Sequence, residues 1–426
     1  MIVMFALLIL LLVVGVPIGF SLMLSSFAYL LLNGDIAFTI MTQKFADGVN
    51  NFTLLAVPFF ILAGNFMNAS GVTDRLFGFA KSMVGHIPGG LAHANVVANI
   101  IMAGMSGSAV ADAGGLGSVE VKAMRDDGYD DEFTAAVIGA ASLIGPIIPP
   151  SIPMVIYAVL SGASVAALFA AGFIPGLLMA GSLMIMIYYF AVKRGYPRHP
   201  RSTAPELAKS FLVSFPALLM PCIILGGIFG GIFTPTEAGA VAVAYSLALG
   251  GLAYRMLGWG GIKKVFIESA YTTASVMLVV IACALFAWIL AIEQIPILLG
   301  NFIISIVHTN GALFLLAVNI FLLFLGCFLE PAAAMLITMP IFMPICQQLG
   351  IHPVHFGIVV VLNLMLGLLT PPVGLVLNVM ADLVRLPLVR IVQAVFPFMT
   401  VLIVVLLIVT YFPALVMFLP RLLGYA

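Results

Sequence analysis

Apolar residues fill this chain in twelve blocks, near positions 1–24, 25–43, 52–70, 92–118, 133–161, 168–192, 211–231, 236–254, 269–292, 312–340, 355–383 and 392–420. Roughly 20 apolar residues suffice for a helix to cross a bilayer, so each block predicts a membrane helix. Three blocks carry an internal break. The block 92–118 is interrupted at Gly104-Met-Ser-Gly-Ser-Ala, 133–161 at Gly145-Pro-Ile-Ile-Pro-Pro-Ser, and 355–383 at Gly367-Leu-Leu-Thr-Pro-Pro-Val-Gly. Two consecutive prolines remove two backbone donors and bar the α region before them, so Pro149 and Pro371 mark places where a helix cannot continue. Within hydrocarbon, the carbonyls freed by such a break are tolerated only where protein buries them or a polar cavity meets them.

The breaks recur. A shift of 222 residues brings His86 onto His308, Gly89 onto Gly311, Gly104 onto Gly326, Gly128 onto Gly350, Gly145 onto Gly367, Pro149-Pro150 onto Pro371-Pro372 and Pro175 onto Pro397, with no gap. One offset holding across about 90 residues indicates an internal duplication. Basic residues then orient the two copies, because short loops rich in Lys and Arg stay on the cytoplasmic side. Arg75, Lys81, Lys122 and Arg125 flank the first break, whereas the matching stretches 297–303 and 344–347 have no Lys or Arg; in the later loop, Arg385 and Arg390 match a stretch (163–168) that has none. Equivalent loops are therefore expected on opposite sides, with the basic loops 193–201 and 255–264 cytoplasmic and both Met1 and Ala426 outside. With Arg75/Lys81 and Lys122/Arg125 on one side, 92–118 is expected to enter and return as a re-entrant hairpin with its tip at 106–109. Its mate, 312–340, is expected to enter from the other side with a tip near 326–331.

Composition narrows the class. Hydrophobic residues make up 63% of the 426 and charged residues 8%, against about 25% charged in soluble domains. At roughly 20 residues per span this amounts to about 10–13 spans. A secreted enzyme, a nucleic-acid binder and a single-anchor protein are excluded. Sixteen Lys and Arg balance sixteen Asp and Glu, leaving no basic surface to recruit polyanions. No Lys or Arg precedes Lys44, so the first block lacks the basic start of a signal peptide and reads as a retained span. Cys222, Cys283, Cys327 and Cys346 lie singly in apolar runs and read as packed thiols. His352 and His355 lack an accompanying glutamate of the zinc-binding kind, so no transition-metal site is expected, and no Ser/His or Asp/Asp pair is spaced for an intramembrane enzyme.

The candidate chemistry lies at the breaks. A desolvated hard cation needs several oxygen ligands. Ser106 and Ser108, with carbonyls near Gly107, Gly145, Ile148 and Pro150, form one expected Na⁺ site; Gly326, Gly367, Thr370 and Pro372 form its pseudo-symmetric partner. Small residues that merely let helices pack closely are the competing reading. Ionisable groups in apolar runs are functional candidates by default. Asp112 lies just beyond the first tip and Glu330 occupies the second tip at the position matching Ser108. Asp112, Ser108, Ser151, Glu330 and Asn363 are the substrate candidates, with a cap or scaffold role open for Asp112 and interhelical hydrogen bonding open for Asn363 and Asn378. Glu237, in Thr234-Pro-Thr-Glu, reads better as a helix cap than as a ligand. The acidic run Asp126, Asp127, Asp130, Asp131, Glu132 reads as a solvated loop.

At Phe52-Thr-Leu-Leu-Ala-Val-Pro-Phe-Phe-Ile-Leu-Ala-Gly, Gly104-Met-Ser-Gly-Ser-Ala-Val-Ala-Asp112, Gly145-Pro-Ile-Ile-Pro-Pro-Ser and Gly231-Ile-Phe-Thr-Pro-Thr-Glu-Ala the chain resembles the large membrane (M) subunits of tripartite ATP-independent periplasmic (TRAP) transporters, over essentially its whole length and most closely the sialic-acid type. The resemblance implies an elevator mechanism driven by a Na⁺ gradient, a small four-helix Q subunit, and a periplasmic substrate-binding protein that delivers the substrate. It implies ion and substrate positions at Ser106, Ser108 and Asp112, and ligands at Gly145, Ile148 and Pro150. The second tip, Gly326-Cys-Phe-Leu-Glu-Pro, lacks the serine pair, which shifts weight there to backbone oxygens.

The resulting expectation is an all-α polytopic protein of the bacterial inner membrane, built of inverted repeats with two re-entrant hairpins and two broken helices. Entry spans would occupy 1–85, a first core 86–175, scaffold 176–307, a second core 308–397 and a last span 398–426. It would import a small organic acid with Na⁺ as coupling ion and no other cofactor, in contact with the lipid bilayer and with no nucleic acid. The alternatives are a two-hairpin anion transporter that needs no binding protein, and an ion channel.

Overall fold

The computed structural model describes residues 1–33, 39–307 and 310–425. Residues 34–38 of the block 25–43, His308 of the repeat alignment and the terminal Ala426 lie outside the described residues. Among the described residues there is no strand. The helices run in the order α1 (Ile2–Val13), α2 (Ile18–Leu32), α3 (Thr39–Val49), α4 (Ala56–Ala69), α5 (Val72–Val84), α6 (Gly90–Ser106), α7 (Ala109–Asp126), α8 (Asp131–Ser142), α9 (Ile152–Ser161), α10 (Val165–Arg194), α11 (Ala204–Phe229), α12 (Pro235–Ala248), α13 (Trp259–Ile292), α14 (Ile295–Val307), α15 (Gly311–Gly326), α16 (Pro331–Gln348), α17 (Pro353–Gly367), α18 (Leu375–Val384), α19 (Leu388–Tyr411) and α20 (Pro413–Leu422).

Six segments among the described residues are long and apolar enough to cross a membrane: 52–69, α10, α11, 235–253, α13 and α19. The other apolar blocks are divided. Ten to eighteen helical residues rise about 15–27 Å, short of a hydrocarbon core of about 30 Å. The hairpins α6–α7 and α15–α16 and the broken pairs α8–α9 and α17–α18 are made of such pieces. This is why a span count from apolar content exceeds the number of full-length helices.

The 222-residue shift carries over to the elements. Moved by that amount, α7 covers 331–348, the bounds of α16, and α5 covers 294–306, within one residue of α14. The shifted α3 and α4 both fall inside α13. The first copy is thus interrupted at 50–55, where Asn51 accepts a 2.9 Å hydrogen bond from the Thr53 amide and a short 3-10 turn follows, while the second copy is one continuous helix.

Three expectations need correction. The block 1–24 is not one span, because Gly15 at φ +88° turns the chain and the Val16 amide closes back on the Leu11 carbonyl at 2.9 Å, after which the chain restarts behind Pro17 as α2. Arg75 and Lys81 lie on helix α5 rather than in a loop; it buries Val72, Thr73, Leu76, Phe77 and Ala80 on one face and is too polar overall to register as an apolar block. The acidic run is not merely solvated. Arg125 Nε meets Asp131 at 2.9 Å, Arg194 meets Asp130 at 3.1 Å, His199 Nε2 lies 3.1 Å from Asp127, and Arg390 lies 3.6 Å from Glu132.

Those pairs gather turns from both halves. Arg125 also donates to the Val384 carbonyl at 3.3 Å, and the Gly89 amide to Pro197 at 3.2 Å. The α7–α8, α10–α11 and α18–α19 turns therefore sit together, with Arg198 and Arg385 in the turns and Lys122, Arg125, Arg194 and Arg390 on the helix ends beside them. Burial and then the 2.6 Å bond to Asp130 push the Tyr196 hydroxyl there up to about 12, so it remains a donor at neutral pH. A separate junction joins α9 to the start of α17 through Tyr157 Oη donating to the Pro353 carbonyl at 2.7 Å. His352 caps α17 by accepting from the Val354 amide, and His355 bonds the Val409 carbonyl, so each histidine is engaged locally.

Candidate functional site

The first hairpin turns in two residues. Ser106 ends α6, Gly107 adopts φ +60°, and Ser108 caps α7 by accepting from the Ala111 amide at 3.4 Å. Positive φ favours glycine, and here space demands it too. A Cβ on Gly107 would lie 2.7 Å from the Pro150 carbonyl oxygen and 3.3 Å from the Ile152 amide. The tip thus presses its backbone against the break between α8 and α9, and on its other side Ser106 packs against Gly64 of α4.

One turn into α7, Asp112 is 1% exposed. Its carboxylate points at the same break: a Cβ on Gly145 would come within 2.2 Å of Asp112 Oδ2 and 3.2 Å of the Ser142 carbonyl. Glycine at 145 is what lets the acid approach. The Ser106 hydroxyl lies nearby, yet neither carboxylate oxygen has a well-formed hydrogen bond. Ser106, Gly107, Ser108, Asp112, Gly145 and Pro150 are therefore brought together, with several oxygen atoms and, among the described residues, no cationic side chain paired to the acid. Ile148 directs its side chain onto Gly176 of α10, and Ser151 spends its hydroxyl within the break, donating to Pro146 at 2.5 Å and accepting from Met154 at 3.2 Å.

The second cluster is built differently. Gly326 at the end of α15 touches Gly367 at the end of α17, where a Cβ on Gly367 would lie 2.6 Å from the Gly326 backbone. The Thr370 hydroxyl donates back to Leu366 at 2.8 Å, and Pro372 lies in the following turn, where the Pro371-Pro372 bond is cis, as is Pro149-Pro150. Glu330 occupies the N-cap position of α16 without a side-chain capping bond and is exposed. Asn363 is placed away from these groups. It is fully buried and donates to both the backbone and the side-chain oxygen of Asn319 at 2.9 Å, and Asn319 in turn donates to Thr410. Asn378 bonds the Val373 carbonyl. Glu237 forms a full capping box with Thr234, at 2.8 and 3.3 Å.

Both tips open on one cavity of about 750 Å³. Ser106, Gly107, Ser108, Glu330 and Pro331 line one wall; the facing wall is built from the start of α2, from α4 and from α13. Sequence reasoning missed the polar groups on that wall, Asn65, Thr272 and Ser275. Asn65 donates to Ser269 at 2.8 Å, and the two hydroxyls bond carbonyls of their own helix at 3.0 Å. The available signal is the three-residue spacing of Thr272 and Ser275, which puts both on one face of an otherwise apolar helix.

Comparison with known proteins gives a consistent picture. Residues 5–415 match the family model described as the DctM component of the tripartite ATP-independent periplasmic transporter. The chain is similar to the sialic acid TRAP transporter large permease protein SiaM of Vibrio cholerae, 46% identical over 97% of both chains. It is also similar to the sialic acid TRAP transporter permease protein SiaT of Haemophilus influenzae, 42% identical over 96% of this chain and 66% of that one. Among solved structures, the YdaH transporter of Alcanivorax borkumensis shares the fold, with a TM-score of 0.64 at 13% identity over 88% of this chain and 87% of that one.

Two outcomes test the placement. Gly145→Ala should displace the Asp112 carboxylate and reduce uptake about as much as loss of that acid, measured in reconstituted vesicles. Asn363→Ala leaves Asn319 without its buried partner and should cost about 1–3 kcal/mol in unfolding experiments, while the substrate concentration for half-maximal uptake stays unchanged.

Proposed function

Because the chain belongs to the DctM-component family of tripartite ATP-independent periplasmic transporters, we propose that this multi-pass membrane protein imports a small organic acid by Na⁺ symport, with sialic acid as the first candidate and a C4-dicarboxylate as the second. The observation that carries the proposal is the first tip: Ser106, Gly107 and Ser108 closed onto the Pro150 carbonyl, with the unpaired Asp112 carboxylate behind them. Such a group of oxygens with a net negative charge suits a small hard cation. Na⁺ bound there would fasten the tip to the break and complete one wall of the cavity, where the N-terminal ends of α7 and α16 offer backbone N–H groups to a carboxylate. Coupling follows when ion and substrate each favour the other's binding by the same factor.

The grouping of the basic turns supports a cytoplasmic assignment for that end, and so an inverted arrangement in which the α7–α8 turn of one copy lies beside the α18–α19 turn of the other. In this reading the two hairpins and broken helices form the part that travels, against a scaffold that includes α4 and α13, in the manner of an elevator. The partners are a small membrane subunit and a periplasmic binding protein that hands over the acid. A channel is disfavoured because each tip is closed on the break of its own half, Gly107 on Pro150 and Gly326 on Gly367, which favours discrete sites over a continuous pore.

Proteoliposomes containing the transporter and its receptor provide the test. Ser106→Ala combined with Ser108→Ala should raise the Na⁺ concentration for half-maximal uptake, tenfold for each ~1.4 kcal/mol of lost coordination; an unchanged Na⁺ requirement overturns the first site. Asp112→Asn should abolish most uptake while the protein still assembles, and full activity would reduce Asp112 to scaffold. Uptake of sialic acid measured against a C4-dicarboxylate decides the substrate.

A further inference from the structure

The two halves of the chain differ sharply at one place. Behind the first tip, the interior of the α6–α7 hairpin and the start of α8 hold His93, Asn95, Asn99, Glu120 and Thr134, each no more than 2% exposed. Shifted by 222, these positions become Leu315, Ala317, Phe321, Phe342 and Phe356. In the second half the phenylalanines pack on one another, Phe321 on Phe342 with ring centres 5.8 Å apart, and both Phe342 and Phe356 on Phe314. The second hairpin thus forms with apolar residues at these five positions, Phe321 being exposed, and its own buried polar groups, Asn319 and Thr338, are neutral, so the hairpin fold does not require a buried acid.

Glu120 is the costly member. It is fully buried, Asn95 Nδ2 donates to its Oε2, and Oε1 has no partner. Asn99 donates to the Asn95 carbonyl at 3.0 Å, and its own Oδ1 is likewise unpaired. The charged and titratable groups on the helices packed against α7 are Asp74, Arg75 and Lys81 of α5, His93 of α6, Asp131 and Glu132 of α8, and Asp382 of α18. Among the described residues none of them bonds or ion-pairs with Glu120: Arg75 bonds Gly71 and stacks on Tyr254, Asp131 pairs with Arg125, Glu132 pairs with Arg390, and neither His93 nitrogen has a hydrogen-bond partner. On α7 itself a second acid, Asp112, lies about two turns away, while Lys122 is exposed and Arg125 pairs with Asp131. An ionised carboxylate with no counter-charge is not sustained in such surroundings. The spare acceptors among the described residues are Glu120 Oε1, Asn99 Oδ1, the Thr134 hydroxyl and one nitrogen of a neutral His93, fewer oxygens than the roughly six a hard metal cation takes. A proton needs a single lone pair.

We infer that Glu120 is a proton-binding site inside the first hairpin, separate from the tip, carried as the neutral acid in the closed arrangement and exchanged with water when α6 and α7 part. The step is simple: a proton from water forms an O–H bond at Glu120 Oε1, the carboxylate loses its charge, and the new hydroxyl supplies the donor that the leftover acceptors lack. The inference rests on the packing of this chain and not on the sodium reading.

Infrared difference spectroscopy between neutral and alkaline buffer tests it, on the purified full-length protein in lipid nanodiscs without Na⁺. Wild type should show the carbonyl stretch of a protonated carboxyl that vanishes on alkalinisation, with a component lost in Glu120→Gln and kept in Asp112→Asn. A spectrum unchanged by Glu120→Gln, or a wild type without the band at any pH, overturns the inference. Loss of one bound ²²Na⁺ in Glu120→Gln, with no such band in wild type, would replace the proton by a metal ion and overturn it equally. Should Glu120→Gln fail to accumulate, Glu120→Asp must shift the band, and an unshifted band counts against the site.

Discussion

A peptide group has nowhere to go in hydrocarbon. Each N–H and C=O must find a partner inside the protein or face water held by it, which is why a chain this apolar spans its membrane as helices. The four interruptions of this structure answer to that constraint together. Two hairpin tips and two proline breaks each leave backbone groups that a continuous helix would have satisfied. The first tip closes on the Pro150 carbonyl and the first break, and Gly326 closes on Gly367. Broken ends gathered in pairs are tolerable where a lone one is not, and the gathering supplies oxygen atoms that an ion can use.

Glycine makes the approach possible, and for different reasons at different positions. Gly107 needs its conformation as well as the space, whereas Gly145 and Gly367 need only the missing side chain. At Gly145 the space is taken by a carboxylate, so one atom's absence in the break sets the position of the acid on the hairpin. The second half makes no such provision, having Ala334 where the first has Asp112. The two clusters share a backbone plan and differ in where the acid stands, buried Asp112 behind the first tip and exposed Glu330 at the second.

Much of this was legible in the residues, because a double proline stops a helix outright, whereas helices here run through the single prolines Pro175, Pro216, Pro221 and Pro397. The breaks at Pro149 and Pro371 and the tips expected at 106–109 and near 326–331 follow from constraints of that kind. What escaped were features that hydropathy averages away. Helix α5 is half polar and so does not register as a membrane block, although five of its residues are buried. Asn65, Thr272 and Ser275 are single polar residues diluted in apolar runs, and only the approach of α4 and α13 to the tips gives them a shared cavity. Asn363 looked like a candidate ligand because polar residues in apolar helices often are, but its position opposite Asn319 ties helices together instead. Glu120 raised no signal of its own, sitting in the more polar second half of α7, and only burial reveals what it costs.

The interruption at 50–55 carries a mechanical consequence. In the second half the corresponding stretch lies inside α13, a rod of about 50 Å whose bending would strain every hydrogen bond along it. In the first half the rod is cut into α3 and α4 and rejoined by a short turn pinned by Asn51. The frame that holds the two hairpins is therefore stiff on one flank and articulated on the other. On the proposed elevator reading, a force on the first tip would meet a flank divided by a turn, and the same force on the second tip a continuous helix.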